Sequence, residues 1–177
     1  MSQKTRIWIV GCGGIGGVFA AHLADRPDVE LTVVSRNPDI ADAIQTSGLK
    51  ISGMEQPRVV QLNVTSAVPE GEVDFVLLAT QPPAVEDAAR SVRQHLSPTG
   101  AVVVLQNGLC EERVADVVGS DHVLGGIVTF GASTSGPGQV MRTSDGGVVL
   151  GGISGEADSR LDHLSQLLST IGPVTIT

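Results

Sequence analysis

The sequence predicts an α/β fold: a doubly wound, mainly parallel sheet with helices on both faces and an antiparallel extension near the C-terminus. Three observations predict it. Short apolar runs alternate with helical patterns from the start of the chain, the signature of repeated βαβ units. Glycine is abundant, 22 of 177 residues against a usual ~7%, so tight turns must be frequent. The interior must be aliphatic, because hydrophobic residues make up 41% of the chain while aromatic residues make up only 2%.

The elements follow in order. Arg6 to Val10 reads as a first strand, apolar enough to be buried on both faces, and Gly14 to Asp25 as a helix with Val18, Ala21 and Leu23 among its apolar positions. Leu31 to Ser35 is a second strand, and Asp39 to Thr46 a short helix after Pro38. Leu49 to Val64 alternates loosely and carries Gly53 and Pro57, which predicts a β excursion. Val73 to Ala79 is a buried strand, and Pro82-Pro83 opens a helix reaching His95, since proline is tolerated in a first turn. Ala101 to Leu105 is another buried strand, followed by Asn107-Gly108 and a helix from Glu111 to Val118 with acids suited to its N-terminus. Val123 to Phe130, Gln139 to Thr143 and Gly147 to Leu150 read as strands of the antiparallel extension. Glu156 to Thr170 is an amphipathic helix with Leu161, Leu164, Leu168 and Ile171 on one face, and Val174 to Thr177 begins a strand.

The whole chain, 1–177, fits one domain. Its apolar, low-charge composition excludes disorder. A net charge of −8, with lysine only at Lys4 and Lys50, leaves no basic stripe for nucleic acid. Five glycines (Gly11, Gly13, Gly14, Gly16, Gly17) interrupt the uncharged run after Arg6, which makes it a poor membrane span. Two cysteines, Cys12 and Cys110, form no disulfide framework, so the expected compartment is the cytoplasm. His22, His95, His122 and His163 show no metal-ligand spacing and read as surface or packing residues.

The sharpest motif is Gly11-Cys12-Gly13-Gly14-Ile15-Gly16, a G-x-G-x-x-G directly after a strand and at the start of a helix. Gly11 permits a tight turn, Gly13 close approach of the backbone to a pyrophosphate, and Gly16 close packing of helix on strand. Free N–H groups at the helix start, together with the helix dipole, then hold the phosphates. Cys12 contributes its backbone and reads as a small filler. This is the Rossmann-type pattern, and the end of the second strand selects the nucleotide. NAD-preferring sites place an acid there for the ribose hydroxyls. Val33-Val34-Ser35-Arg36-Asn37 contains none, whereas Arg36 offers a planar fork for a 2′-phosphate, helped by Ser35 or Asn37. NADP(H) is the expected cofactor.

Three further segments end at the same sheet edge: LATQ (78–81), LQNG (105–108) and GGIVTFGA (125–132). Taken in order with IVGCGGIGG, VVSRN and GGVVLGG, they resemble the ketopantoate reductase (2-dehydropantoate 2-reductase) family along essentially the whole chain. The resemblance implies that Gly11 to Gly16 bind the cofactor diphosphate and Arg36 its 2′-phosphate. It also places Asn107 beside the nicotinamide and the substrate, and gives Ala132 a backbone contact with the cofactor. Gln81 stands where the family commonly has a lysine, so that contact loses its charge. The family's catalytic lysine lies in a C-terminal helical domain that neither Lys4 nor Lys50 matches, so the chain is expected to supply the cofactor half without a catalytic residue of its own. The implied partner is a small 2-oxo acid, reduced by NADPH on the way to pantothenate. A related reductase of another 2-oxo acid and a non-catalytic NADP(H)-binding module are the alternatives. An exposed former inter-domain face would favour a homodimer.

Overall fold

The computed structural model describes residues 4–153 and 158–177. In chain order the elements are β1 (Thr5–Val10), α1 (Gly14–Leu23), β2 (Val29–Val34), α2 (Pro38–Ser47), β3 (Leu49–Gly53), β4 (Arg58–Val60), β5 (Val64–Thr65), β6 (Val73–Leu78), α3 (Val85–Val92), β7 (Leu96–Val104), α4 (Cys110–Val118), β8 (Val123–Val128), β9 (Ala132–Gly136), β10 (Gln139–Arg142), β11 (Val148–Gly152), α5 (Ser159–Leu168) and β12 (Val174–Ile176).

Strand β1 sets the layering. Ile7 and Ile9 enter one core with α1 and α5, while Trp8 and Val10 enter the other with α3 and α4. A strand apolar on both faces belongs at the centre of a parallel sheet, and β1 sits between β2 and β6 in an eight-stranded sheet ordered β12-β11-β8-β7-β6-β1-β2-β5. All neighbours from β5 to β8 pair in parallel. Strand β11 then pairs antiparallel with β8, and β12 follows β11, which makes the C-terminal extension. Strand order runs outward from β1 through β2 on one side and from β6 through β7 and β8 on the other. The reversal between β1 and β6 opens a crevice at the carboxyl ends of those two strands.

Helix starts follow local chemistry. Asn37 caps α2 by accepting from the Asp39 N–H (3.0 Å), and Pro38 occupies the first turn. Asp158 caps α5 by accepting from the Arg160 N–H (2.9 Å). Pro82–Ala84 form a 3₁₀ turn ahead of α3, and Arg93–His95 another behind it, so the expected helix from the prolines to His95 is α-helical only in its middle.

The β excursion after Leu49 resolves into three strands with two destinations. Strand β5 pairs with β2 at the edge of the main sheet, whereas β3 and β4 join a second sheet ordered β4-β3-β10-β9. The segment expected to extend the main sheet at Gln139 to Thr143 is therefore β10 of this second sheet, paired in parallel with β3. Its place is set by α1, which is buried nearly all round because it lies between the two sheets. Gly17 makes this possible, since a Cβ there would overlap the Val140 side chain. Buried Arg142 ties the layers together: Nη1 donates to the Ile171 carbonyl (2.7 Å), Nη2 to the Gly146 carbonyl (2.8 Å), and the guanidinium lies 4.8 Å from the Phe130 ring centroid. The last helix begins at Ser159, and the part of it expected at residues 156–157 lies outside the described residues. No helix among the described residues is long and apolar enough to cross a membrane.

Candidate active site

The crevice at the reversal point is built around Gly11. Its φ of +102° lets the chain turn out of β1, and its N–H donates to the Val34 carbonyl of β2 (2.9 Å). A Cβ on Gly11 would stand 2.7 Å from the Ala79 carbonyl oxygen, so the turn is pressed against the end of β6. Gly16 is pressed back in turn, where a Cβ would overlap the Gly11 carbonyl oxygen. Gly14 abuts the next wall, with a would-be Cβ 2.9 Å from the Ala132 backbone. Among the glycines of this loop, only at Gly13 does a Cβ meet nothing within 4 Å, because that position faces the open crevice.

Gly13 starts α1 with no side-chain cap, and the first turn carries no acid. The other α-helices each have an acid in the first turn, and α2 and α5 have side-chain caps as well. The free N–H groups of α1 and the positive end of its dipole therefore face a cavity, an arrangement that favours an anion. That cavity, about 360 Å³, is lined by Gly13, Gly14 and Ile15 on one side, by Ala79, Thr80, Gln81 and Pro82 after β6, by Leu105, Gln106 and Asn107 after β7, and by Ala132 at the start of β9. No titratable side chain among the described residues lines it.

The sequence-derived residues fall into three groups here. Gly13, Gly14, Ile15, Gln81, Asn107 and Ala132 line the cavity together. Gly11, Cys12 and Gly16 lie behind the lining, where they shape the loop. Arg36 lies apart from the cavity, exposed on the loop leaving β2 on the other side of the glycine turn, with no hydrogen-bond or ion-pair partner among the described residues. Its supposed helpers are engaged locally: the Ser35 hydroxyl donates to the Asn37 carbonyl (3.4 Å), and Asn37 Oδ1 caps α2.

Three residues that the sequence did not single out also belong to this edge. Thr80 and Gln106 bridge the ends of β6 and β7, Gln106 Nε2 donating to Thr80 Oγ1 at 3.1 Å. Leu109, in the turn after Asn107, has a left-handed φ of +56° and is 83% exposed. Such a conformation costs a branched residue about 1 kcal/mol or more and concentrates at functional turns. Only the positions of Thr80 in LATQ and Gln106 in LQNG hinted at it, and Leu109 lies one residue beyond.

Cys12 is buried, and burial pushes its thiol up to about 11. It is then almost wholly protonated at pH 8 and unable to act as a nucleophile. We expect iodoacetamide at pH 8 to leave the Cys12 peptide of the folded chain unmodified and to label it readily in denaturant; rapid labelling of the folded chain would contradict this. The four histidines are occupied elsewhere, His22 with Glu55 (2.8 Å), His95 and His122 with the carbonyls of Gly71 and Gly100, and His163 with Thr5. No cluster of three potential metal ligands occurs among the described residues.

A sheet in this order, a glycine-rich first crossover and a crevice at the reversal define a nucleotide-binding fold of the dehydrogenase type. The family described as ketopantoate reductase PanE/ApbA matches residues 7–155. The chain belongs to that family. It is 33% identical over 147 residues to the 2-dehydropantoate 2-reductase of Pyrococcus abyssi, covering 82% of this chain and 47% of that protein. Among solved structures, the 2-dehydropantoate 2-reductase of Geobacter metallireducens superposes with a TM-score of 0.84 at 27% identity, covering 97% of this chain and 57% of the other. A D-mandelate dehydrogenase solved with NADH and anilino(oxo)acetate shares the fold, with a TM-score of 0.86 at 22% identity over 98% of this chain and 57% of its own. The chain spans about half the length of the curated relatives it matches.

Proposed function

We propose that this chain, residues 1–177, is the NADP(H)-binding domain of a 2-dehydropantoate 2-reductase. The observation that carries this reading is the uncapped start of α1 facing a cavity lined by polar but no titratable side chains. The residues fit a dinucleotide. The open space at Gly13 admits a diphosphate against the first-turn N–H groups, and the crevice continues to polar groups at the ends of β6 and β7. Arg36, exposed on the loop after β2, supports a 2′-phosphate there by offering a planar cation.

When bound, NADPH supplies the hydride that reduces the keto carbon of the 2-oxo acid. Asn107, exposed at the cavity rim with its amide free to donate and accept, orients the reacting groups. Gln81 gives the rim a neutral hydrogen-bonding group where the family commonly has a charge. The developing alkoxide needs a proton donor, and this cavity offers none. Lys4 precedes β1 at the opposite sheet edge, and Lys50 lies on β3 of the second sheet. The donor is therefore assigned to the part of the longer relatives that this chain does not span.

Calorimetric titration of the 177-residue chain with NADPH tests the reading. Trp8, buried against His95 with ring centroids 5.4 Å apart in the α3/α4 core, is a poor reporter for the same purpose. We expect NADPH to bind with one site per chain and ketopantoate to provoke no NADPH oxidation. Absence of binding would overturn the cofactor assignment, and rapid ketopantoate-dependent oxidation would overturn the division of labour.

A further inference from the structure

Two buried side-chain oxygens lack a hydrogen-bond partner among the described residues, Ser97 Oγ and Gln106 Oε1. Ser97 lies at the amino end of β7, on the edge away from the cavity. Gln106 lies past the carboxyl end of β7 and lines the cavity while being only 9% exposed. One end of its amide is fixed by Thr80. The other end is a strong acceptor, closed to bulk water and without a donor among the described residues. A native fold seldom leaves such a group orphaned, because burying it without a partner opposes folding, and exceptions collect where a ligand completes the bond.

Position identifies the donor. The glycine turn follows β1, and Arg36 lies on the β2 side of it, so the adenosine half of a dinucleotide belongs there. The ends of β6 and β7 lie on the opposite side, which leaves Thr80 and Gln106 to the nicotinamide riboside half. That half carries neutral donors, the ribose hydroxyls and the carboxamide N–H.

We propose that Gln106 is a cofactor-positioning residue whose side-chain oxygen accepts a hydrogen bond from the nicotinamide riboside half, with Thr80 holding the amide in the required orientation. This rests on the dinucleotide reading given above. It assigns to the strand end a task separate from that of neighbouring Asn107, which lies exposed at the rim.

The test compares Gln106→Leu and Gln106→Glu with the parent chain. Each is titrated with NADPH and with adenosine 2′,5′-bisphosphate, which lacks the nicotinamide half, and each is melted without ligand. Gln106→Leu is expected to weaken NADPH binding about tenfold and leave bisphosphate binding unchanged. Its ligand-free melting temperature should not fall, because the orphaned acceptor leaves together with a single hydrogen bond to Thr80, whose half-buried hydroxyl can turn to water instead. Gln106→Glu keeps an acceptor, which the Thr80 hydroxyl can hold by donating in place of the lost amide N–H, so it should bind NADPH more tightly than Gln106→Leu does. The 3-acetylpyridine analogue of NADPH has no amide N–H: unchanged affinity in the parent chain assigns the donor to the ribose, and a tenfold loss assigns it to the carboxamide. Equal losses for NADPH and the bisphosphate, a lowered melting temperature in Gln106→Leu, or a Glu variant as weak as the Leu variant would overturn the proposal. Failure of the parent chain to bind either ligand would instead overturn the dinucleotide reading itself.

Discussion

Alanine at Gly13 and alanine at Gly16 are expected to fail in opposite ways, although the two glycines stand three residues apart in one motif. Gly13 has φ −82° and ψ −160°, a conformation open to any residue, and a methyl group there would meet nothing within 4 Å. Gly13→Ala should therefore fold normally, with stability unchanged to within about 0.5 kcal/mol. Its methyl group, however, projects into the space where a diphosphate would meet the first turn of α1. Charge-assisted hydrogen bonds of this kind contribute about 1.5–3 kcal/mol each, so NADPH affinity should fall between ten- and a hundredfold. At Gly16 the added Cβ would overlap the Gly11 carbonyl oxygen and crowd the Ala79 side chain at 3.1 Å. Neither neighbour can retreat, since Gly11 is hydrogen-bonded to β2 and Ala79 to β1. Gly16→Ala should lose about 3 kcal/mol or more, as overpacked interiors do. Denaturant melts paired with calorimetric titrations separate the two effects. A destabilised Gly13→Ala that still binds, or a stable Gly16→Ala, would show that the loop is shaped differently from the packing described here.

That contrast also explains which parts of the fold could be read from the sequence. The glycine loop was legible because each glycine answers a local demand: a positive φ at Gly11, an open approach at Gly13, a close contact at Gly16. The parallel core was legible because β1, β6 and β7 are apolar on both faces, which only a central strand can be. Strand partnership was not. Gln139 to Thr143 alternates as any half-buried strand does, and nothing within it states that Val140 seats against Gly17 across α1 instead of extending the main sheet. Pairing between segments some ninety residues apart is decided by packing, and a period of two is blind to it. The same holds at the site. Asn107 stands out in sequence as part of an Asn-Gly turn, whereas Gln106, one residue earlier, reads as the tail of a buried strand. Its oxygen lacks a partner among the described residues while Thr80, past the end of β6, takes the other end of the amide, a juxtaposition that no single segment of sequence displays.

Removing Arg36 is expected to erase the distinction between NADPH and NADH while leaving the fold untouched. The side chain is exposed, lies outside the cavity and has no partner among the described residues, so Arg36→Ala should change stability by no more than about 0.5 kcal/mol. Ser35 and Asn37 cannot fully substitute for it, because their side chains are committed to the turn and to the cap of α2. Among the described residues at the end of β2, the guanidinium is thus the cation able to meet a 2′-phosphate with two parallel hydrogen bonds. Its loss should weaken NADPH binding about ten- to a hundredfold and NADH binding hardly at all. Arg36→Asp should go further and favour NADH, since an acid at this strand end accepts from the ribose hydroxyls and repels the phosphate. The preference should also depend on pH in a defined direction. A phosphate monoester carries nearly two charges above about pH 6 and one below it, so the advantage of NADPH should be greatest at neutral pH and shrink as the solution is acidified through that value. Titrations of the parent chain and both variants with each nucleotide at pH 7.5 and 5.5 measure all of this. Equal losses for the two nucleotides, or none, would reduce Arg36 to a solvated surface charge and return the choice of nucleotide to the cavity itself.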